Sequence, residues 1–102
     1  MSFQLISITE YCSNYQADPS FIAALQEEGI IEIIVSEENS FLLAEQIPEL
    51  EKYTRWYYEM GINREGIDAI RQLLQRINNL QEELRIMRNR LSFYESINEL
   101  KL

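Results

Sequence analysis

The side chains in this sequence that could do chemistry are almost all carboxylates. Ten acids fall within residues 1–51, namely Glu10, Asp18, Glu27, Glu28, Glu32, Glu37, Glu38, Glu45, Glu49 and Glu51, and no Lys or Arg interrupts them; the first base is Lys52. Carboxylates can serve as acid–base pairs, as metal ligands or as a charged recognition surface, and spacing separates these uses. Glu27-Glu28 and Glu37-Glu38 are sequence neighbours. Adjacent residues on a helix point in different directions and a pair in a turn is solvated, so neither pair is expected to form a catalytic dyad. The chain has no histidine, which removes the side chain most used for proton transfer near neutral pH and the commonest metal ligand. Cys12 is the only cysteine. It cannot form an intramolecular disulfide, and with no base among residues 1–51 to lower its pKa it is expected to be a buried structural thiol. The glycines are isolated at 29, 61 and 66, so no glycine loop cradles a phosphate. These observations argue against an enzyme and predict no cofactor, no metal and no small-molecule ligand.

What remains is recognition by charge. Residues 1–51 carry −10, whereas residues 52–102 hold all nine bases with seven acids and carry +2, giving the net −8 of the chain. A uniformly negative surface repels phosphate and steers a basic protein surface inward.

The elements that must position these acids follow from pattern. The chain has 102 residues, 46% of them hydrophobic, enough for one small domain with an appendage and typical of a globular protein. Met1 to Ile8 carries no base and only a short apolar run, unlike a signal peptide, and no apolar stretch is long enough to span a membrane. A reducing, cytoplasmic setting is expected. Phe3 to Ile6 is apolar, and Ser7 with Glu10 has the spacing of a capping box, which starts a helix running to Tyr15. Asp18-Pro19 caps a second helix of about ten residues, with Phe21, Ile22 and Leu25 on its apolar face and Gly29 as a left-handed stop. Ile30 to Val35, a polar turn over residues 36–40 and Phe41 to Leu43 predict a β-hairpin. A third helix beginning near Pro48 presents Ile47, Leu50, Tyr53 or Thr54, Tyr57 and Tyr58, with Trp56 beside them, and stops at Gly61. At least one residue of Trp56-Tyr57-Tyr58 should point outward. Ile62 and Ile67 then bracket Asn63 as a hydrophobic staple around a helix cap.

From that cap onward the apolar pattern is a heptad. Ile70, Ile77, Leu84 and Leu91 are seven apart, with Leu73, Leu80, Met87 and Tyr94 interleaved, and the series fades through Asn98 and Lys101. These are the a and d positions of a coiled coil. A helix over residues 64–96 would be about 50 Å long, against a radius of gyration of about 13 Å for a compact domain of this size, so it is expected to protrude. The exposed seam predicts a homodimer. A parallel pairing would set Glu83 against Arg88 of the second copy and Arg90 against Glu95, and an antiparallel pairing fits so short a seam as well.

The order strand, helix, helix, two-stranded wing, helix pair and terminal coiled coil resembles a MerR-type winged helix-turn-helix. Ile8-Thr9-Glu10-Tyr11-Cys12 resembles the opening helix of that family, Leu25 to Ile31 the end of its second helix and entry to the wing, and Met60 to Ile67 the link between its last two helices. The resemblance implies a mainly α fold, a winged-helix domain over residues 1–66 and a C-terminal dimerisation helix over residues 67–102. It also implies arginines on the second helix and in the wing, where the DNA-binding members grip phosphates. Here Ser20 to Leu25 and Asn39 to Leu43 hold no base. Phosphate contacts supply most of non-specific DNA affinity, so DNA binding by this chain is not expected.

The short acidic chain, the Ile8 to Cys12 opening and the segment bearing Arg88, Arg90 and Leu91 are similar to the CbpM family of chaperone modulators. That resemblance implies a protein that docks on the J-domain of a DnaJ or CbpA-type co-chaperone and inhibits it. The partner-binding residues expected on this reading are Asp18, Phe21, Glu27, Glu28 and Glu32 around the second helix, with Glu37 and Glu38 at the wing tip. Tyr11 and Tyr15, like Phe21, are candidate aromatic anchors for that acidic face or members of the core. A MerR-like DNA-binding regulator is the alternative.

Overall fold

The computed structural model describes the backbone of residues 4–100 and the side chains of residues 4–99. Phe3, in the opening apolar stretch, and Lys101, the last d position, lie outside that range. In chain order the elements are β1 (Leu5–Ser7), α1 (Ile8–Tyr15), α2 (Pro19–Glu27), β2 (Ile34–Ser36), β3 (Asn39–Leu43), a single 3-10 turn (Ala44–Gln46), α3 (Ile47–Tyr58) and α4 (Arg64–Leu100). The fold is mainly helical with a small antiparallel sheet and a long C-terminal helix, consistent with the winged helix-turn-helix expected.

Local chemistry starts and stops the helices where the sequence pattern places them. The Ser7 hydroxyl accepts from the Glu10 amide at 3.0 Å, satisfying one of the orphan N–H groups of α1. At the other end Gln16 takes the left-handed conformation, φ 54°. Asp18 caps α2 through its carboxylate, which accepts from the Ser20 amide at 2.8 Å, and Pro19 opens the helix with the one residue that has no N–H to orphan. Gly29, at φ +77°, then closes α2. Its amide donates to the Gln26 carbonyl and that of Ile30 to Leu25, both at 3.0 Å, which is the paired bonding of a Schellman stop. Asn63 Oδ1 accepts from the Gly66 amide at 2.8 Å to begin α4, and Ile62 and Ile67 both join the core around it.

The hairpin is tighter than the sequence pattern predicts. Ser36 pairs with Asn39, Val35 with Ser40 and Ile34 with Phe41, so the turn is two residues, Glu37-Glu38, rather than five. Both sit at positive φ, 50° and 69°, the mirror-image turn that matches the twist of paired strands. Strand β1 adds to the outer side of β3, opposing Ile6 to Leu42, and the sheet order is β1-β3-β2. Ile30 to Ile33, expected to extend the strand, is held otherwise. The Gln46 side chain accepts from the Glu32 amide at 2.8 Å and donates to the Glu32 carbonyl at 2.9 Å, taking both groups a neighbouring strand would have used. The freed segment buries Ile31.

The chain divides into two compact units, the first ending at Asp68 and the second beginning at Ala69. Within the first, Tyr11, Ile22, Leu25, Leu42, Leu50 and Ile67 are essentially solvent-free. One polar pair lies among them: Tyr11 and Thr54 share a hydrogen bond of 2.7 Å, while the Thr54 hydroxyl donates to the Leu50 carbonyl at 2.8 Å. Thr54 has a single proton, so the Tyr11 phenol is the donor to Thr54 and the buried pair is satisfied. Burial pushes the Tyr11 phenol up to about 12.

The second unit is a run of one helix. Ile70, on α4 where the heptad begins, is half-buried; the remaining a and d residues, Leu73, Ile77, Leu80, Leu84, Met87, Leu91 and Tyr94, are 45–63% exposed. Arg85 donates to Glu82 one turn back through Nε and Nη2, at 3.0 and 2.5 Å. Among the described residues no helix is long and apolar enough to cross a membrane.

Candidate functional site

The structure distributes the expected acidic face unevenly. The Asp18 carboxylate is engaged with Ser20, and that backbone bond holds it below the usual carboxylate range. The amide of Asp18 donates to the Tyr58 hydroxyl at 2.9 Å, so this residue ties α2 to α3 as well as capping α2. Glu28 follows α2 as its C-cap and pairs with Arg64 at 3.6 Å, a half-exposed ion pair worth at most about 1 kcal/mol. Glu27 is exposed on α2, Glu32 on the clamped connector, and Glu37 and Glu38 at the hairpin tip. Glu27, Glu32, Glu37 and Glu38 therefore present charge to solvent.

The aromatic candidates divide in the same way. Phe21 is 4% exposed and stacks flat on Tyr57, ring centroids 4.5 Å apart and planes 2° from parallel. It fastens α2 to α3 and cannot present its ring to a partner. Tyr11 is fully buried, and Tyr15 stacks on it at 4.5 Å while donating to the Glu51 carboxylate. That bond to a carboxylate raises the Tyr15 phenol. Of the run Trp56-Tyr57-Tyr58, Trp56 is half-buried against the core and both tyrosines are partly exposed, in line with the outward-pointing residue expected there. Cys12 is buried, and desolvation pushes its thiol up.

The first unit also holds a concavity that no motif in the sequence marks. Between α2 and the hairpin lies a groove of about 840 Å³. Its helical wall is Pro19, Ala23 and Gln26, spaced i, i+4, i+7 on the side of α2 away from the core face of Phe21, Ile22 and Leu25. Its opposite wall is the hairpin with Ile33 just before it; Ile33, Val35 and Phe41 supply apolar surface, Ser7, Ile8 and Thr9 line it as well, and among the described residues Glu38 is the one charged side chain on it. Val35 is 71% exposed. The signal that could have found this groove is the small and apolar spacing of Pro19 and Ala23, a second face on a helix that already has its core face. The core face dominates the pattern and masked it.

Helix, helix, hairpin wing and helix pair, with α2 and the wing side by side around a groove, is the geometry of a winged helix-turn-helix. A family model described as MerR HTH family regulatory protein matches residues 6–89. The chain belongs to the MerR HTH family of regulatory proteins. Searches of curated proteins and of solved structures find no significant match. In this chain α2, β2, β3 and the turn between the two strands hold no Lys or Arg. The first unit carries thirteen acids against Lys52, Arg55 and Arg64, a net −10. Two of its three bases already face carboxylates, Lys52 at 3.2 Å from Glu49 and Arg64 on Glu28.

Proposed function

We propose that this MerR-family protein acts on a protein rather than on DNA: it is a chaperone modulator of the CbpM kind, which binds the J-domain of a DnaJ or CbpA-type co-chaperone and inhibits it. The observation that carries the reading is the charge of the first unit, −10 on a scaffold whose α2 and wing lack any base. J-domains engage Hsp70 through a basic helix, and an acidic surface competes for it. Charge pairing of this type gives fast, salt-sensitive association. The protein works as a cytoplasmic binding protein without catalytic chemistry.

The α4 seam supports a homodimer. Seven apolar a and d side chains stand 45–63% exposed, and covering each stabilises by about 1.5–3 kcal/mol if it is fully removed from water. A second copy of the same helix supplies matching knobs and holes.

The test is binding to a J-domain at low and at high salt. Binding that weakens as salt rises is the expected result. Absence of binding at both salts sinks the function, and salt-insensitive binding sinks the acidic-face mechanism. The family match favours one second reading, a DNA-binding regulator. A gel shift at low salt with genomic fragments decides it, and the absence of bases in α2 and the wing predicts no shift.

A further inference from the structure

We propose that the groove between α2 and the β2–β3 hairpin is the docking site for a basic segment of a partner protein, which buries an apolar side chain between Ala23 and Val35 while a Lys or Arg beside it meets Glu38. This rests on the reading above that the first unit binds a basic protein, and it says where and by what chemistry.

Three observations converge on that occupant. The first is the surface itself. Val35, on β2, is 71% exposed, and the small side chains Pro19 and Ala23 line the same groove from α2. Apolar surface left open in a concavity is the usual place for an interface anchor, because the anchor loses its water there and gains close packing. The second is size. About 840 Å³ lies within the range of about 300–1,000 Å³ in which clefts hold ligands, room for more than one side chain. The third is charge. Glu38 lies on the groove itself, and its left-handed backbone, φ 69°, is set by the two-residue turn, so its carboxylate is carried at the wing tip. Among the described residues no Lys or Arg lines the groove, and the unit around it carries −10. Nucleic acid is thereby disfavoured, as is a second copy of this unit, which would bring the same acids. A basic segment gains attraction from the unit as a whole and specificity from the apolar anchor.

The experiment uses the full-length protein and a short fluorescent helical peptide of lysine, alanine and leucine, followed by anisotropy at low salt. A companion peptide has its leucines replaced by serine. The protein variants are Ala23→Arg, which fills the groove with a like charge to the probe, Glu38→Lys at its rim, and Met60→Arg, an exposed position on neither wall; circular dichroism checks that each is folded. The expected result is binding of the leucine peptide, weakening by about tenfold in Ala23→Arg and in Glu38→Lys, little change in Met60→Arg, and weaker binding of the serine peptide. Equal weakening by Met60→Arg would mean that only net charge matters and would overturn the proposal. So would unchanged binding in both groove variants, absence of peptide binding to the parent, or self-association that Ala23→Arg abolishes. The same variants assayed against a J-domain separate the two ideas: a J-domain that binds both groove variants at full strength removes the groove and leaves the function, whereas peptide binding in the groove with no J-domain binding removes the function and leaves the groove.

Discussion

Leu25 on α2 and Leu84 on α4 are the same side chain in the same kind of helix, yet Leu25 is fully buried and Leu84 is 50% exposed. The difference separates the two units. In the first, three helices and a sheet each bury one face against the others, so the hydrophobic driving force is used within one chain. In the second, a single helix has a continuous apolar stripe and no other element of that unit to cover it. One unit is stabilised by folding, and on the homodimer proposed above the other is stabilised by association. On that proposal the stability of the first is independent of concentration, while that of the second should vary with protomer concentration.

The largest expected effect that tests this contrast is Leu25→Ala. Emptying a site with no solvent contact costs about 2–5 kcal/mol, a large part of the stability of about 5–15 kcal/mol typical of a domain. Urea unfolding followed by tyrosine fluorescence should show it at every protein concentration. Leu84→Asp tests the other half. A charge in the seam should halve the mass seen in sedimentation while the near-UV spectrum of the first unit stays as it was; an unchanged mass would remove Leu84 from the seam.

Next comes alkaline pH. The Tyr11 phenol has its ordinary pKa of 10.0 when unfolded and burial raises it to about 12 when folded, so the unfolded chain loses its proton first as pH rises. Below pH 10 the phenol's contribution is fully present, and it is lost between pH 10 and 12. Tyr11→Phe should flatten that part of the pH–stability curve, and an unaltered alkaline slope would show that other tyrosines carry it.

The smallest effect lies in the first turn of α4, and it has an inverted sign. Gly→Ala inside a helix usually stabilises by about 1 kcal/mol. At Gly66 an added Cβ would meet Ile62 Cγ2 at 2.8 Å and Asn63 Oδ1 at 3.0 Å, the staple and the cap of α4 together. Gly66→Ala should therefore destabilise by about 1 kcal/mol, roughly the worth of the cap it disturbs. A rise in melting temperature would show that the cap yields without cost.

Much of the fold is legible because its signals are local. Ser7, Asp18-Pro19, Gly29 and Asn63 act on backbone groups within three or four residues, and the a and d series repeats along one helix. The hairpin was legible in kind but not in extent, since Glu37-Glu38 lacks the Asn-Gly signature of its turn and the Gln46 clamp on Glu32 joins residues fourteen apart. The site was legible only as a charge. Which acids are engaged depends partly on contacts far along the chain, as Glu28 with Arg64 shows, and Phe21 is withdrawn into the core by stacking on Tyr57. Tertiary contacts of this sort leave no periodicity to detect.

Cys12 gives the first unit a built-in clock. The thiol is buried, and burial together with the nearby Asp18 carboxylate holds it in the protonated, unreactive form. Since it is the only thiol in the chain, the rate at which an alkylating reagent labels it measures how often the core around α1 opens. The helix of the second unit is silent in that measurement, so opening of the first unit can be timed by itself in the intact protein.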